Sequence, residues 1–374
     1  MTAQRALFLS GSFGAGHDTL AEACAAALEP FGVESRIVDC MPMLGKGFGA
    51  AGDWVFRRLL SVPPIYDGLH FSQMRGDGPV GRWMDRAAVK VMFPQLVAEV
   101  DRYRPDLVLS VFATGASAAV RLKPDRPGLV TIVFITDSFA HQLWVHEGTD
   151  LFIVTSELAA ASVRRYWPEA EVRVVEAPVR TSFYDAPAQV EARASLGVPL
   201  HARCVLLMSG AWGIGPLDDV ARSLARDGYW VLAVAGSNRR LGERITAVAG
   251  EQPNIIPFGF TDRVPELMAA ADLVVTSSGD TCREARFIGR PLVLLDVVPG
   301  HGRENVMHEL ELGNAAVCSP TTTSVVGAVR RMFATAVTQP AAPGPRPSAE
   351  AWNNELVDAM RSAGVVLPGS GDGG

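Results

Sequence analysis

Short, continuous apolar runs separated by helix-length stretches constrain this chain more than any other feature. RALFLS, SRIVDCM, PDLVLSVF, GLVTIVFITD and DLFIVTS follow one another in the first half. Runs of this kind read as strands buried on both faces, the habit of parallel sheets covered by helices. Between the first two, DTLAEACAAALEPFG reads as an Ala-rich helix that stops at Pro30 and Gly32. A second series opens near 203: RCVLLMSG, helix PLDDVARSLARDG, WVLAVAGS, helix RRLGERITAVAG, NIIPFGF, helix VPELMAAA, DLVVTSSG, helix TCREARFIG, PLVLLDVV and helix ENVMHELELG. This alternation predicts two parallel-sheet α/β domains. The 374 residues are also too many for one ordinary core. The junction is expected between Pro178 and Pro199, with one domain over 1–180 and a second over 200–335. A Pro-rich linker and a C-terminal helix and tail are expected over 336–374. Glycines follow the first strand of each half, so the halves read as two copies of one architecture, without a sequence repeat.

Composition excludes several classes of function. Apolar residues make up 48% and charged residues 20%, as in a soluble globular protein. With 34 basic and 40 acidic side chains, net −6, broad nucleic-acid binding is not expected. Cys24, Cys40, Cys204, Cys282 and Cys318 are scattered without a CxxC pair, which argues against a zinc site or a disulfide framework and for a reducing cytosol. They are expected as small buried residues. No run of about 18 apolar residues occurs, so any membrane contact is expected to be peripheral. The N-terminal apolar stretch is too short for a signal peptide.

The turn GSFGAGHD, residues 11–18, joins the first strand to the first helix. Free backbone N–H groups and the helix dipole make such a turn a generic anion site. A phosphate-binding G-x-x-x-x-G-K-[ST] loop is excluded, because His17 and Asp18 replace the lysine and the hydroxyl. The order G-x-x-G-x-G is wrong for a dinucleotide fingerprint, although Asp39 lies near the place of a ribose ligand. A third reading puts an acceptor hydroxyl at the turn with His17 as general base, since imidazole titrates near neutrality. On residue type alone, a His17 that merely closes the turn fits as well.

Longer blocks carry a family resemblance. GSFGAGHDTLAEACAAAL (11–28), ITDSFAHQLWVHEGTDLFIVTS (135–156), APVRTSFY (177–184), GFTDRVPELMAAADLVVTSSGDTCREA (259–285) and VPGHGRENVMHELELGNAA (298–316) resemble, in order and spacing, blocks of the monogalactosyldiacylglycerol synthases and processive diacylglycerol glucosyltransferases. These belong to glycosyltransferase family 28, with the lipid II-forming N-acetylglucosaminyltransferase as a cousin. The resemblance covers roughly residues 5 to 330. It implies a GT-B fold, two Rossmann-like parallel-sheet domains facing across a cleft, with a UDP-sugar on the C-terminal domain and the acceptor on the N-terminal one. It implies no cofactor beyond the UDP-sugar donor and no metal. The chain has no Asp-x-Asp pair to chelate a diphosphate through a divalent ion.

Backbone donors at Gly210, Ala211, Trp212 and Gly213, and at Ser278, Gly279, Asp280 and Thr281, are the candidates for holding the diphosphate instead. The resemblance further implies that Phe260 and Thr261 hold the uracil, that Glu284 takes the ribose hydroxyls, and that Arg180 sits near the nucleotide. His301, Glu304 and Asn305 would line the sugar pocket. Gly14, Gly16, Asp137, His141 and Trp144 would meet the acceptor, with His17 as catalytic base. Taken singly, Gly279 and Gly300 read as plain turns and Arg180 as an interdomain salt bridge.

Two departures concern the donor. Asp280 stands near the expected diphosphate, where it is expected to cap the following helix. His301 and Gly302 replace the family's Gln-Glu, which leaves glucose, galactose and N-acetylglucosamine all open. The acceptor is expected to be lipid-like, such as diacylglycerol or a glycolipid, with a soluble natural product as the alternative. A peripheral membrane contact, at the inner face of the plasma membrane, is implied for residues about 45–71. There Trp54, Phe56, Leu59 and Leu60 with Arg57 and Arg58 read either as an interfacial helix or as core. A non-catalytic nucleotide-sugar sensor is the reading of another class, and an NAD-dependent dehydrogenase a more distant one.

Overall fold

The computed structural model describes residues 4–11, 15–45, 70–75, 78–208, 216–297, 300–335 and 348–367. The chain divides into two compact units, residues 1–178 with 347–374, and 179–346.

The first unit is built on six parallel strands in the order β2-β1-β3-β4-β5-β6. They are β1 (Arg5–Ser10), β2 (Glu34–Asp39), β3 (Leu107–Ser110), β4 (Val130–Ile135), β5 (Leu151–Val154) and β6 (Val172–Val174). Their helices are α1 (Ala15–Leu28), α2 (Pro79–Tyr103), α3 (Ala113–Val120) and α4 (Glu157–Tyr166). Side chains alternate between the faces of the sheet with period two. Ala6, Phe8, Leu107, Leu109, Ile132 and Phe134 pack under α1 through Leu20, Ala21, Cys24 and Leu28. Leu7, Leu9 and Val108 pack on the other side against Val89, Met92, Leu96 and Val100 of α2. The core strands are fully buried, as their unbroken apolar runs require.

The C-terminal helix α12 (Ala349–Ser362) belongs to this first unit. Ser348 caps it by accepting from the Ala351 N–H at 3.1 Å. Trp352, Leu356, Val357 and Met360 join the α1 face of the core. The Trp352 indole N–H donates to the Glu176 carbonyl at 2.7 Å.

The second unit also has six parallel strands, in the order β12-β11-β10-β7-β8-β9. They are β7 (Cys204–Met208), β8 (Trp230–Val234), β9 (Ile255–Phe258), β10 (Leu273–Ser277), β11 (Leu292–Leu295) and β12 (Ala315–Cys318). The helices are α5 (Gln189–Leu196), α6 (Leu217–Arg226), α7 (Arg239–Glu251), α8 (Val264–Ala270), α9 (Asp280–Ile288), α10 (His301–Glu311) and α11 (Thr322–Ala334). One face packs on α6, α7 and α11 and the other on α8 and α9. The segment Val179–Val198, with Phe183 fully buried, packs into this unit. All five cysteines are free and buried. Burial pushes the thiols of Cys40, Cys204 and Cys282 up to about 12.

Both strand orders contain one reversal. In the first sheet it falls between β1 and β3, and in the second between β7 and β10. Open α/β sheets bind ligands outside the carboxyl ends of the strands at such a switch point. The fold therefore nominates one place in each unit.

Candidate functional site

In the first unit, β1 ends at Ser10 and α1 begins at Ala15, beside the start of α3. Gly11 approaches Phe112 so closely that an added Cβ would lie 2.6 Å from its ring. Only a residue without a side chain brings β1 that near the β3–α3 turn. The half-buried His17, in the first turn of α1, sets its ring edge-on to Phe112 with centroids 6.1 Å apart. Next to it, the fully buried Ser10 hydroxyl donates to the Asp18 carboxylate at 2.5 Å. Asp18 is thereby turned to the strand, with His17 beside it in the same turn of α1. Gly16 is the second residue of α1. Gly14 lies outside the described residues.

The loop after β4 gathers a second group. Trp144 is buried and its indole N–H donates to Asp137 at 3.1 Å. The His141 ring lies 6.0 Å from that of Trp144. Its Nδ1 accepts from the Leu143 N–H at 3.3 Å, which assigns the ring proton to Nε2 in the neutral form. Asp137, His141 and Trp144 are thus brought together. His70, whose ring is 6.4 Å from His141, joins them, although sequence reasoning passed over it. The one cue was a histidine within YDGLHF.

The same loop closes over a separate buried group. Asp85 of α2 accepts the Ser117 hydroxyl at 2.7 Å, and the His146 Nε2–H donates to the Leu143 carbonyl at 2.9 Å. Burial pushes the Asp85 carboxyl up and the His146 imidazole down.

In the second unit, Arg180 forks onto Glu284, Nε to Oε1 at 2.6 Å and Nη2 to Oε2 at 3.2 Å. The guanidinium also lies over the Phe183 ring at 5.2 Å. Glu284 is only 4% exposed. Burial raises its carboxyl above the usual range, and the Arg180 hydrogen bonds and charge pull it part of the way back. The pair lies within this unit, because Val179–Phe183 packs there; the expected interdomain salt bridge is an intradomain one.

The Ser278 hydroxyl donates to the Gly302 carbonyl at 2.8 Å and so ties the loop after β10 to the first turn of α10. The N-termini of α9 and α10 are therefore neighbours, and two helix dipoles meet near Glu284. Gly300 begins α10 at φ 62° and ψ −118°, a backbone that L side chains avoid. Gly279, not Asp280, is the N-cap of α9. Asp280 is already its first helical residue, with its carboxylate on Arg283 at 2.6 Å, so the expected cap is corrected. The acid is locally neutralised by that partner. Thr281 follows in the same first turn.

Phe260 is 82% exposed after β9. Thr261 accepts the Arg263 N–H at 3.1 Å and shapes the turn into α8. Glu304 is buried and Asn305 half-buried on α10. His301 opens α10, and nothing further is described of its side chain. Gly210, Ala211, Trp212 and Gly213 lie outside the described residues, between β7 and α6. β7, which precedes them in the chain, ends at the second switch point beside β10.

Residues 55–179 match the family model described as monogalactosyldiacylglycerol (MGDG) synthase. The chain is 28% identical over 336 residues to the chloroplastic monogalactosyldiacylglycerol synthase of Spinacia oleracea, covering 83% of this chain and 62% of that protein. It is 26% identical over 223 residues to the processive diacylglycerol beta-glucosyltransferase of Bacillus subtilis (strain 168), covering 58% of each. The chain thus spans about six tenths of the length of these curated relatives. Among solved structures it resembles a UDP-GlcNAc 2-epimerase from Neisseria meningitidis bound to UDP-GlcNAc, with TM-score 0.59 and 11% identity over 96% of this chain and all of that one. A glycosyltransferase from Rickettsia africae gives TM-score 0.53 and 12% identity over 97% of each. At these identities the likeness is one of fold, the two-domain α/β fold of the GT-B kind.

Proposed function

We propose that the chain belongs to the family of monogalactosyldiacylglycerol synthases and processive diacylglycerol glucosyltransferases, and that it is a glycosyltransferase moving a hexose from a UDP-sugar to a hydroxyl of a lipid-like acceptor. The observation that carries the reading is the second switch point. There a buried, Arg-held carboxylate stands beside two adjoining helix N-termini. A carboxylate can accept both ribose hydroxyls, and converging N–H groups suit a diphosphate.

On the first unit, His17 takes the proton of the acceptor hydroxyl. The hydroxyl oxygen attacks the anomeric carbon from the face opposite UDP and forms the new glycosidic bond. The bond from that carbon to the diphosphate oxygen breaks, and UDP leaves with the electron pair. Configuration inverts. The leaving charge is met by main-chain N–H groups at Gly210–Gly213 and Ser278–Thr281 without a metal. Phe260 and Thr261 take the uracil, Glu304, Asn305 and His301 the sugar, and Gly14, Gly16, Asp137, His141 and Trp144 the acceptor.

The membrane reading also gains support. The expected segment, about 45–71, lies mostly outside the described residues, but α2 carries exposed Val80, Trp83, Met84 and Val91 at three- and four-residue spacing. Arg82, Arg86 and Lys90 flank this row. An apolar stripe edged by cations fits the surface of an anionic bilayer. No helix among the described residues is long and apolar enough to cross a membrane.

The test is UDP release by purified protein given UDP-glucose, UDP-galactose or UDP-N-acetylglucosamine, each with and without diacylglycerol-containing vesicles. Release that needs one sugar and the vesicles supports the proposal. Release that ignores vesicles moves it to a soluble acceptor, and UDP binding without turnover on any acceptor replaces it by a sensor.

A further inference from the structure

The loop between β4 and β5, residues 136–150, carries Asp137, His141 and Trp144 with no helix or strand of its own. An irregular loop of this length is held by what grips it from outside. Here the grip comes from the short segment before α2. His70–Met74 form a single π turn, closed by the Arg75 N–H donating to the His70 carbonyl at 2.9 Å. Such turns are rare, and many of those known stand at functional sites.

The segment takes hold of the loop on both sides of His141. On one side, the Arg75 Nη1–H donates to the Ala140 carbonyl at 2.7 Å, and the guanidinium lies over the Phe139 ring at 4.8 Å. On the other side, the Gln142 N–H donates to the Met74 carbonyl at 3.3 Å. The buried Gln142 side chain donates to the carbonyls of Gln73 and Gly78, the latter at 3.2 Å. Its Oε1 accepts from Arg82 of α2 at 3.3 Å, next to Trp83 of the exposed apolar row. Helix α2 crosses this knot at Gly81, where an added Cβ would lie 2.5 Å from the Gln73 carbonyl oxygen. Helix α4 completes the frame. The Tyr166 hydroxyl donates to the Arg75 carbonyl at 3.0 Å, and the Ser162 hydroxyl accepts the Ala140 N–H at 2.7 Å. None of these groups is assigned to donor, acceptor or proton transfer, yet together they fix the backbone on either side of His141.

We infer that Arg75 and Gln142 are positioning residues for the acceptor, holding the loop so that His141 and Trp144 meet it in one orientation. The inference rests on the sugar-transfer reading, whose acceptor site it deepens. A loop held in place beforehand does not have to be ordered when the acceptor binds. A loop released from the clamp must be ordered by the acceptor itself, which weakens acceptor affinity. The groups proposed for the donor lie in the second unit and share none of these contacts, so donor affinity is not affected.

The experiment measures initial rates of hexose transfer by the full chain, from whichever of UDP-glucose, UDP-galactose and UDP-N-acetylglucosamine the wild type uses. The acceptor is dioleoylglycerol at varied content in vesicles of phosphatidylcholine and phosphatidylserine. Wild type, Gln142→Met, Arg75→Met and Arg75→Lys are compared, with UDP affinity and melting temperature measured on the same samples. In Gln142→Met and Arg75→Met the KM for dioleoylglycerol is expected to rise about tenfold, the worth of one charged hydrogen bond. The donor KM and the UDP affinity should stay at wild-type values. Arg75→Lys keeps a cationic donor for the Ala140 carbonyl and should recover part of the loss. If Gln142→Met melts well below the wild type, the two Arg75 variants decide. An equal rise of both KM values, an unchanged acceptor KM, or Arg75→Lys no better than Arg75→Met overturns the inference alone. Absence of transfer by the wild type overturns the lipid-acceptor reading and the inference with it.

Discussion

Arg180 and Glu284 meet at two points, 2.6 and 3.2 Å, with the guanidinium resting on the ring of Phe183. The pair holds a buried carboxylate beside the second switch point, and the guanidinium offsets part of the upward push of burial. Replacing Glu284 by Gln removes the charge and one of the two acceptor oxygens proposed for the ribose and should weaken UDP binding by about 10- to 100-fold, the worth of one or two charged hydrogen bonds. The pH dependence follows from the raised carboxyl. A group whose folded value lies above its unfolded one binds its proton early on acidification. UDP affinity should therefore fall as pH drops through that raised value, above the usual glutamate range. Arg180→Met removes the pull of the guanidinium and should move this fall to higher pH. Titration with UDP between pH 5 and 8 checks both, and an unshifted profile in Arg180→Met would contradict the argument.

His146 should make the first unit sensitive to mild acid. Burial lowers its folded value below that of the unfolded chain. Between those two values the unfolded state holds a proton that the folded state does not, so stability is present above the unfolded value and is lost as pH falls toward the folded one. Wild-type protein should lose melting temperature on going from pH 7.5 to 5.5, and His146→Gln should lose less. Parallel melting curves settle the matter.

The contact of Gly11 with Phe112 predicts a localised cost. An Ala Cβ at 2.6 Å from the ring forces Phe112 to move, at about 1–3 kcal/mol. Gly11→Ala should lower the melting temperature, and the second change Phe112→Leu should recover part of the loss. Since the same ring touches His17, turnover should fall along with stability.

The C-terminal helix should be indispensable to the first unit. Trp352 is 7% exposed and anchored to Glu176, so Trp352→Ala should cost about 3–5 kcal/mol. Truncation after residue 335 should cost more, because it uncovers the α1 face of the core. Denaturant unfolding of both variants measures this.

Much of this was legible in the sequence for a physical reason. Strands buried on both faces announce themselves as unbroken apolar runs, and β1 to β5 and β7 to β11 do so. Short edge strands do not. Both β6 (VRV) and β12 (AAVC) have half-open faces and mixed residues, and α11 after β12 escaped notice with it. The 25-residue α2 was hidden because its exposed apolar row blurs the contrast between its faces. Single residues of the candidate site were found through blocks of resemblance, not through spacing. The relationships that join them were not legible, because they are contacts over long sequence separations. Arg180 and Glu284 lie 104 residues apart, and Asp85 and Ser117 lie 32 apart. The role expected of Asp280 failed at one residue, because Gly279 already serves as the cap.

The central claim is that His17 activates an acceptor hydroxyl for attack on a UDP-sugar. It is tested most directly by following labelled hexose from UDP-hexose into the lipid of diacylglycerol vesicles, with wild-type protein and with His17→Ala. The account predicts a lipid-extractable glycoside whose anomeric configuration is opposite to that of the donor. It also predicts that His17→Ala makes it at least about 100-fold more slowly, the usual worth of a general base, while binding UDP normally. Wild-type turnover in His17→Ala, or label recovered only as free sugar, would contradict it.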